Sequence, residues 1–172
     1  LSNSIQDKLY LDVMDLDLKE VSDLFFLETK YHGKANISGY ATTPLVNLQF
    51  NGEAVVEDFK VNNTEVGVVG FGMNYKSSSD KLMIHGDIFS KNQQTFIFDG
   101  YYVTKEEEEA KGSINFDMFF NKTDISFVNE FLSPKLFKKL GAKLNGELKL
   151  KGTFNEPVLT GKLNVEDGII NL

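Results

Sequence analysis

The sequence predicts an all-β protein: one strongly curved, mainly antiparallel sheet folded into an apolar-lined groove, with one or two short helices. Three observations carry that prediction. Apolar residues alternate with polar ones at a period of two over most of the chain, the signature of strands with one wet face. Fourteen glycines punctuate those runs, several at strand starts and bends, where they suit strong curvature. A strand–turn–strand pattern also occurs twice. It reads GKANISGYATTP (Gly33, Gly39, Pro44) before GEAVVED, and GELKLKGTFNEP (Gly146, Gly152, Pro157) before GKLNVED, which starts at Gly161.

Taken in order, the chain offers about ten strands. Leu9 to Val13 is apolar and strand-like. Asp17-Leu18-Lys19-Glu20 then has the spacing of a helix capping box, with Val21, Leu24 and Phe25 as the apolar face of a short helix. The first repeat copy follows. Val46-Leu48-Phe50, Leu82-Ile84-Ile88, Phe96-Phe98-Tyr102 and Ile114-Phe116-Met118-Phe120 each keep one parity. Lys76 to Asp80 and Lys91-Asn92-Gln93 read as turns, and the KEEEE run from Lys105 as a solvated hairpin connection. The glycines of Val66 to Phe71 suggest bends or bulges.

A second helical segment is expected ahead of the second repeat copy. Asp124 leads into Phe127 and Phe131. Ser133-Pro134 then reads as a helix start, and Gly141 as its left-handed end. The clearest strand runs from Leu144 to Phe154, with Leu148, Leu150 and Phe154 on one side and Lys149 and Lys151 on the other. Its return strand carries Leu159, Leu163 and Val165 on one parity. These residues, with Phe96, Phe98, Ile114, Phe116 and Met118, are expected to line one water-excluded face. The chain reads as a single segment, 1–172, with repeat copies at about 9–61 and 114–172.

Two short helices cannot cover about ten strands, so the apolar faces must meet one another. A filled β-sandwich core, a closed barrel and an open groove all require the same alternation. The apolar stripe is the one feature with functional potential: as an open groove, its wall would hold lipid chains at about 0.8 kcal/mol for each buried methylene.

Composition narrows the function classes. Against 18 basic residues there are 25 acidic ones, a net charge of −7, and no basic stripe exists to bind a polyanion. With no cysteine, neither disulfides nor a thiolate metal site is available. No apolar run approaches the roughly 18 residues of a spanning helix. His32, beside a turn glycine, and His85, on a polar strand parity, read as solvated structural residues. Nucleophile elbow, zinc-protease, P-loop and dinucleotide motifs are absent, so the reading is no enzyme, no metal and no cofactor. Asn36, Asn62 and Asn121 stand in N-glycosylation patterns that an Asn-rich β protein produces by chance. Because the chain starts at Leu1 and stops at Leu172 within apolar stretches, it reads as a piece of a longer protein.

The second repeat copy, GELKLKGTFNEPVLTGKLNVEDGIINL, resembles the repeating element of the TamB and AsmA-like proteins. The positions that match are Gly146, Gly152, Thr153, Pro157, Gly161 and Gly168, and the preceding KTDISFVNEFL is similar to the short apolar helix that often leads that element. The resemblance covers Ile114 to Leu172 best and Leu9 to Asp58 more weakly. It implies a taco-shaped β-sheet crossing the periplasm of a diderm bacterium, its parent anchored in the inner membrane. It also implies phospholipid or other acyl chains as cargo, neighbouring repeats of the parent chain as contacts, and a BamA-like outer-membrane barrel as a partner. The competing expectation is a non-catalytic β-sandwich or barrel acting as a binding or scaffold module.

Overall fold

The computed structural model describes residues 8–42, 48–104, 112–131 and 139–171. Nine strands form one antiparallel sheet in which each strand pairs only with its neighbours in sequence. They are β1 (Lys8–Asp17), β2 (Tyr31–Thr42), β3 (Gln49–Val61), β4 (Thr64–Lys76), β5 (Lys81–Ser90), β6 (Gln93–Val103), β7 (Ser113–Asp124), β8 (Lys139–Thr153) and β9 (Pro157–Asn171). The sheet is not closed: β1 and β9 are its two outer strands. A closed barrel is therefore not the solution the chain adopts.

Local chemistry explains the connections. Asn62-Asn63 and Lys91-Asn92 join consecutive strands by two residues, with Asn62 at φ +52, Lys91 at +52 and Asn92 at +62. Asparagine tolerates that left-handed region better than most side chains, so these tight hairpins close without glycine. Helix α1 (Leu18–Leu24) starts where its capping residue indicates, with the Asp17 carboxylate accepting from the Lys19 amide at 2.9 Å. The buried Ser22 hydroxyl ties this helix to β2, accepting from the Tyr31 amide at 3.0 Å.

The second helical segment is a 3₁₀ helix at Ser126–Phe131, opened by the same device: the Asp124 carboxylate accepts from the Ser126 amide at 2.8 Å. The expected helix from Ser133 lies largely outside the described residues. Gly141 does not end a helix; it sits inside β8 and pairs with Ile169. A glycine with no Cβ fits a strand beside a register shift as readily as a helix end, and such a shift lies between Gly141 and Lys143.

Both helical segments follow odd-numbered strands and so lie at the same end of the sheet. The strands bulge near that end. Asp15, Asp58, Lys122 and Asp167 take φ of +50 to +54 in β1, β3, β7 and β9 respectively. Side-chain amides hold two of these bulges: Asn36 Oδ1 accepts from the Asp15 amide at 3.0 Å, and Asn145 Oδ1 from the Lys122 amide at 2.8 Å. Bulges bend a strand and add to its twist, which curves the sheet at this end.

The two strand–helix–strand units are thus built alike, each with an aspartate cap and an asparagine-held bulge. In that frame Asn36 corresponds to Asn145, a shift of four residues from the frame that matches Gly33 to Gly146. Glycine positions follow local curvature, whereas the bulge clamps follow the helix junction.

Candidate functional site: an open apolar sheet face

Register carries one property across the whole sheet. One row of hydrogen-bonded neighbours runs Leu11, Gly39, Gly52, Met73, Ile84, Gly100, Phe116, Leu150, Leu159. The next row on the same face runs Val13, Ile37, Ala54, Phe71, Gly86, Phe98, Met118, Leu148, Gly161. The flanking rows are equally apolar. One joins Leu16 and Ala35 to Phe96, Phe120, Gly146 and Leu163, and the other joins Leu9 and Ala41 to Tyr102, Ile114, Gly152 and Pro157. Directly paired residues point to one side of a sheet. No row carries a charged residue at any of its positions.

The groove residues expected from sequence therefore share this face: Phe96, Phe98, Ile114, Phe116, Met118, Leu148, Leu150, Leu159 and Leu163, with Val165 one row further on, opposite Leu144. Phe154, in the β8–β9 turn, brings its ring to 5.6 Å from that of Tyr102. Gly33 marks the β2 bulge at φ +130, and Pro44 lies outside the described residues. The face extends beyond those residues into β1 to β4, which contribute Leu11, Val13, Ile37, Phe71 and Met73 to it.

Water is not excluded from this face. Only Ala35, Val61, Val66, Ile114 and Ala142 are buried hydrophobics among the described residues, while Leu159 is 57% exposed, Val165 62% and Leu11 57%. Among the described residues no second layer lies over the strands, so the aromatic side chains at the centre shield one another only in part. There the tilted rings of Phe96 and Phe120 lie 4.9 Å apart and those of Phe96 and Phe98 6.0 Å apart, and Phe98 approaches Phe116 at 6.3 Å and Phe71 at 6.4 Å. Glycine makes the arrangement possible. A Cβ on Gly86 would fall 2.3 Å from the Phe98 ring, so that ring lies over bare backbone.

At the helical end the 3₁₀ helix reaches back across the sheet. Among the described residues it touches β8 and also β4, four strands away. On a flat sheet those strands would be about 19 Å apart, longer than a six-residue 3₁₀ helix at about 12 Å. Its Glu130 carboxylate accepts from Thr64 Oγ1 at 2.7 Å and from Asn62 Nδ2 at 2.5 Å, latching it to the β3–β4 hairpin. Those two hydrogen bonds hold the Glu130 pKa below its ordinary value.

The opposite face carries the charged and polar side chains, with Val55, Met83, Phe119 and Val158 exposed among them. Lys149 and Asp117 are directly paired and form an ion pair of 2.8 Å, and the hydrogen bond to Asp117 raises the Lys149 pKa. His85 is exposed on this face, its imidazole lying over Gly72, and His32 is half-buried at the start of β2, opposite Lys60. Among the described residues, no three histidine, aspartate or glutamate side chains gather as metal ligands. No helix there is long and apolar enough to cross a membrane. The Asn36 side-chain oxygen accepts from the Asp15 amide, both ends of the Asn62 amide are engaged within the fold, and the Asn121 amide donates to the Gln94 carbonyl at 3.2 Å.

Comparison with protein-family models, curated proteins and solved structures finds no match.

Proposed function

We propose that the apolar sheet face carries acyl chains. In this reading the chain is a segment of a periplasm-spanning envelope protein, as its similarity to the TamB and AsmA-like repeat suggests. It would convey phospholipid between inner and outer membranes, support outer-membrane protein assembly with a BamA-like barrel, or do both. The observation that carries the proposal is the exposure of a charge-free face crossing all nine strands. Nine strands at about 4.8 Å spacing give it about 38 Å measured along its curve, ample for a chain of about 14 to 18 carbons at about 0.8 kcal/mol per buried methylene. The proposal assigns no catalytic residue, metal or cofactor.

Photo-crosslinking residues at Leu150 and Phe116, with Lys149 on the polar face as control, test it in the full-length protein. Lipid adducts at the first two positions and none at the third are expected. Phospholipid should also accompany the purified segment through organic extraction and be visible by mass spectrometry. In activity, Leu150→Asp or Phe116→Asp should impair function more than Lys149→Asp in variants shown to fold, because burying an unpaired charge among acyl chains costs several kcal/mol.

One observation favours a second reading. Among the described residues both outer strands present an unpaired edge, to which a partner strand can add. Crosslinks from Leu150 and Phe116 to protein alone, never to lipid, would replace the conduit with this scaffold role.

A further inference from the structure

Helix α1 ends with a side chain that the backbone does not favour. Phe25 caps it, and Phe26 follows at φ +53. The Phe26 amide donates to the Asp23 carbonyl at 3.2 Å and the Leu27 amide to the Ser22 carbonyl at 3.0 Å. This is the hydrogen-bond pair of a Schellman ending, whose left-handed position ordinarily takes glycine. A bulky residue there is strained. The fold offers its ring almost no contact in return: Phe26 is 89% exposed, Phe25 67% and Leu24 70%. By spacing, Leu24 and Phe25 belong to the apolar face of the helix, which would ordinarily turn inward. They stand in solvent instead, on a tip whose base is pinned to β2 through Ser22.

We infer that the Leu24-Phe25-Phe26 tip inserts into the surface of a phospholipid bilayer. Three side chains offer on the order of 400 Å², half of the roughly 800 Å² that each side of a stable protein interface buries. Consecutive residues at a helix end also project in different directions. A flat or grooved protein surface cannot meet all three, whereas fluid lipid surrounds a tip from every side. Lys19 and Lys30 are balanced by Glu20, Asp23 and Glu28 nearby, with Lys30 paired to Asp23 at 2.9 Å. Insertion is therefore driven by apolar area and needs no anionic lipid. The inference does not rest on the acyl-chain reading of the sheet face.

The cysteine-free sequence makes the test direct. Glu28→Cys, beside the tip, and Leu159→Cys, on the sheet face, are each labelled with a polarity-sensitive fluorophore. Each is then mixed with phosphatidylcholine vesicles whose acyl chains carry a spin-label quencher. Quenching at position 28 is expected whatever position 159 does, and quenching at 159 reports separately on the sheet face. Phe26→Gly should weaken vesicle partitioning about tenfold while leaving the melting temperature unchanged or higher, because glycine suits the left-handed position. The inference is overturned if the protein does not partition, if position 28 stays unquenched, or if Phe26→Gly partitions as the parent does.

Discussion

Truncating Leu159 and Ile114 separately should give very different costs, although both are branched aliphatic residues in paired strands on one face. Ile114 is 4% exposed, and its replacement by alanine leaves a cavity that neighbouring strands cannot fill. Such changes cost about 2 to 5 kcal/mol, and about 3 is expected here. Leu159 is 57% exposed, so less than half of its surface is withdrawn from water and no cavity forms. Its loss should cost about 1 kcal/mol. Urea unfolding followed by circular dichroism would read both from the shift in midpoint at constant slope. In thermal melts the pair should differ by about 4 to 8 °C for a chain of this size. If Leu159→Ala costs as much as Ile114→Ala, β9 is covered and the open sheet is wrong.

Three further outcomes follow from the geometry. Gly161→Ala should destabilise by about 2 kcal/mol or more, because φ is +136 and a Cβ would sit 2.2 Å from the Glu147 carbonyl oxygen. Gly168→Ala, where a Cβ meets only a Val165 methyl at 3.3 Å, should be nearly neutral in the same melts. Asn145→Ala removes the acceptor for the Lys122 amide and should cost about 1 kcal/mol; hydrogen exchange should quicken at Lys122 while Asp15, clamped by Asn36, stays protected. For Glu130, whose folded-state pKa lies below the ordinary 4.5, the latch stabilises above that value and is lost as pH falls through the folded pKa. The stability advantage of the parent over Glu130→Gln should therefore grow with pH across that window and stay level above it, measured by urea midpoints from pH 3 to 6.

What could be read from sequence was what is local. The Asp17 cap, the Lys91-Asn92 turn and the parity of Leu148, Leu150 and Phe116 depend on neighbours a few residues away, so pattern alone finds them. The openness of the sheet could not be read, since a filled sandwich demands the same alternation at Leu159 and Leu163. The bulges escaped notice because Asp15, Asp58, Lys122 and Asp167 carry side chains at backbone positions for which glycine is the usual signal. The Glu130 latch joins residues more than sixty apart and has no signature in spacing. At Phe25, helical periodicity marked an apolar face, but among the described residues a seven-residue helix touching mainly β2 leaves that side chain exposed.

Because every strand pairs only with the strands before and after it, the chain never has to wait for a distant segment before it can add structure. Each new hairpin docks on an edge already in place, so the entropy of closing long loops is largely avoided. Stability then accumulates strand by strand, as in a stack of bricks rather than an arch with a keystone. A sheet assembled this way can begin to form while the rest of its polypeptide is still being delivered. It can also lengthen or shorten over evolution by whole hairpins without redesign of what remains. The Glu130 latch is an exception to that locality, and it would mark the moment at which separately laid strands first become one body.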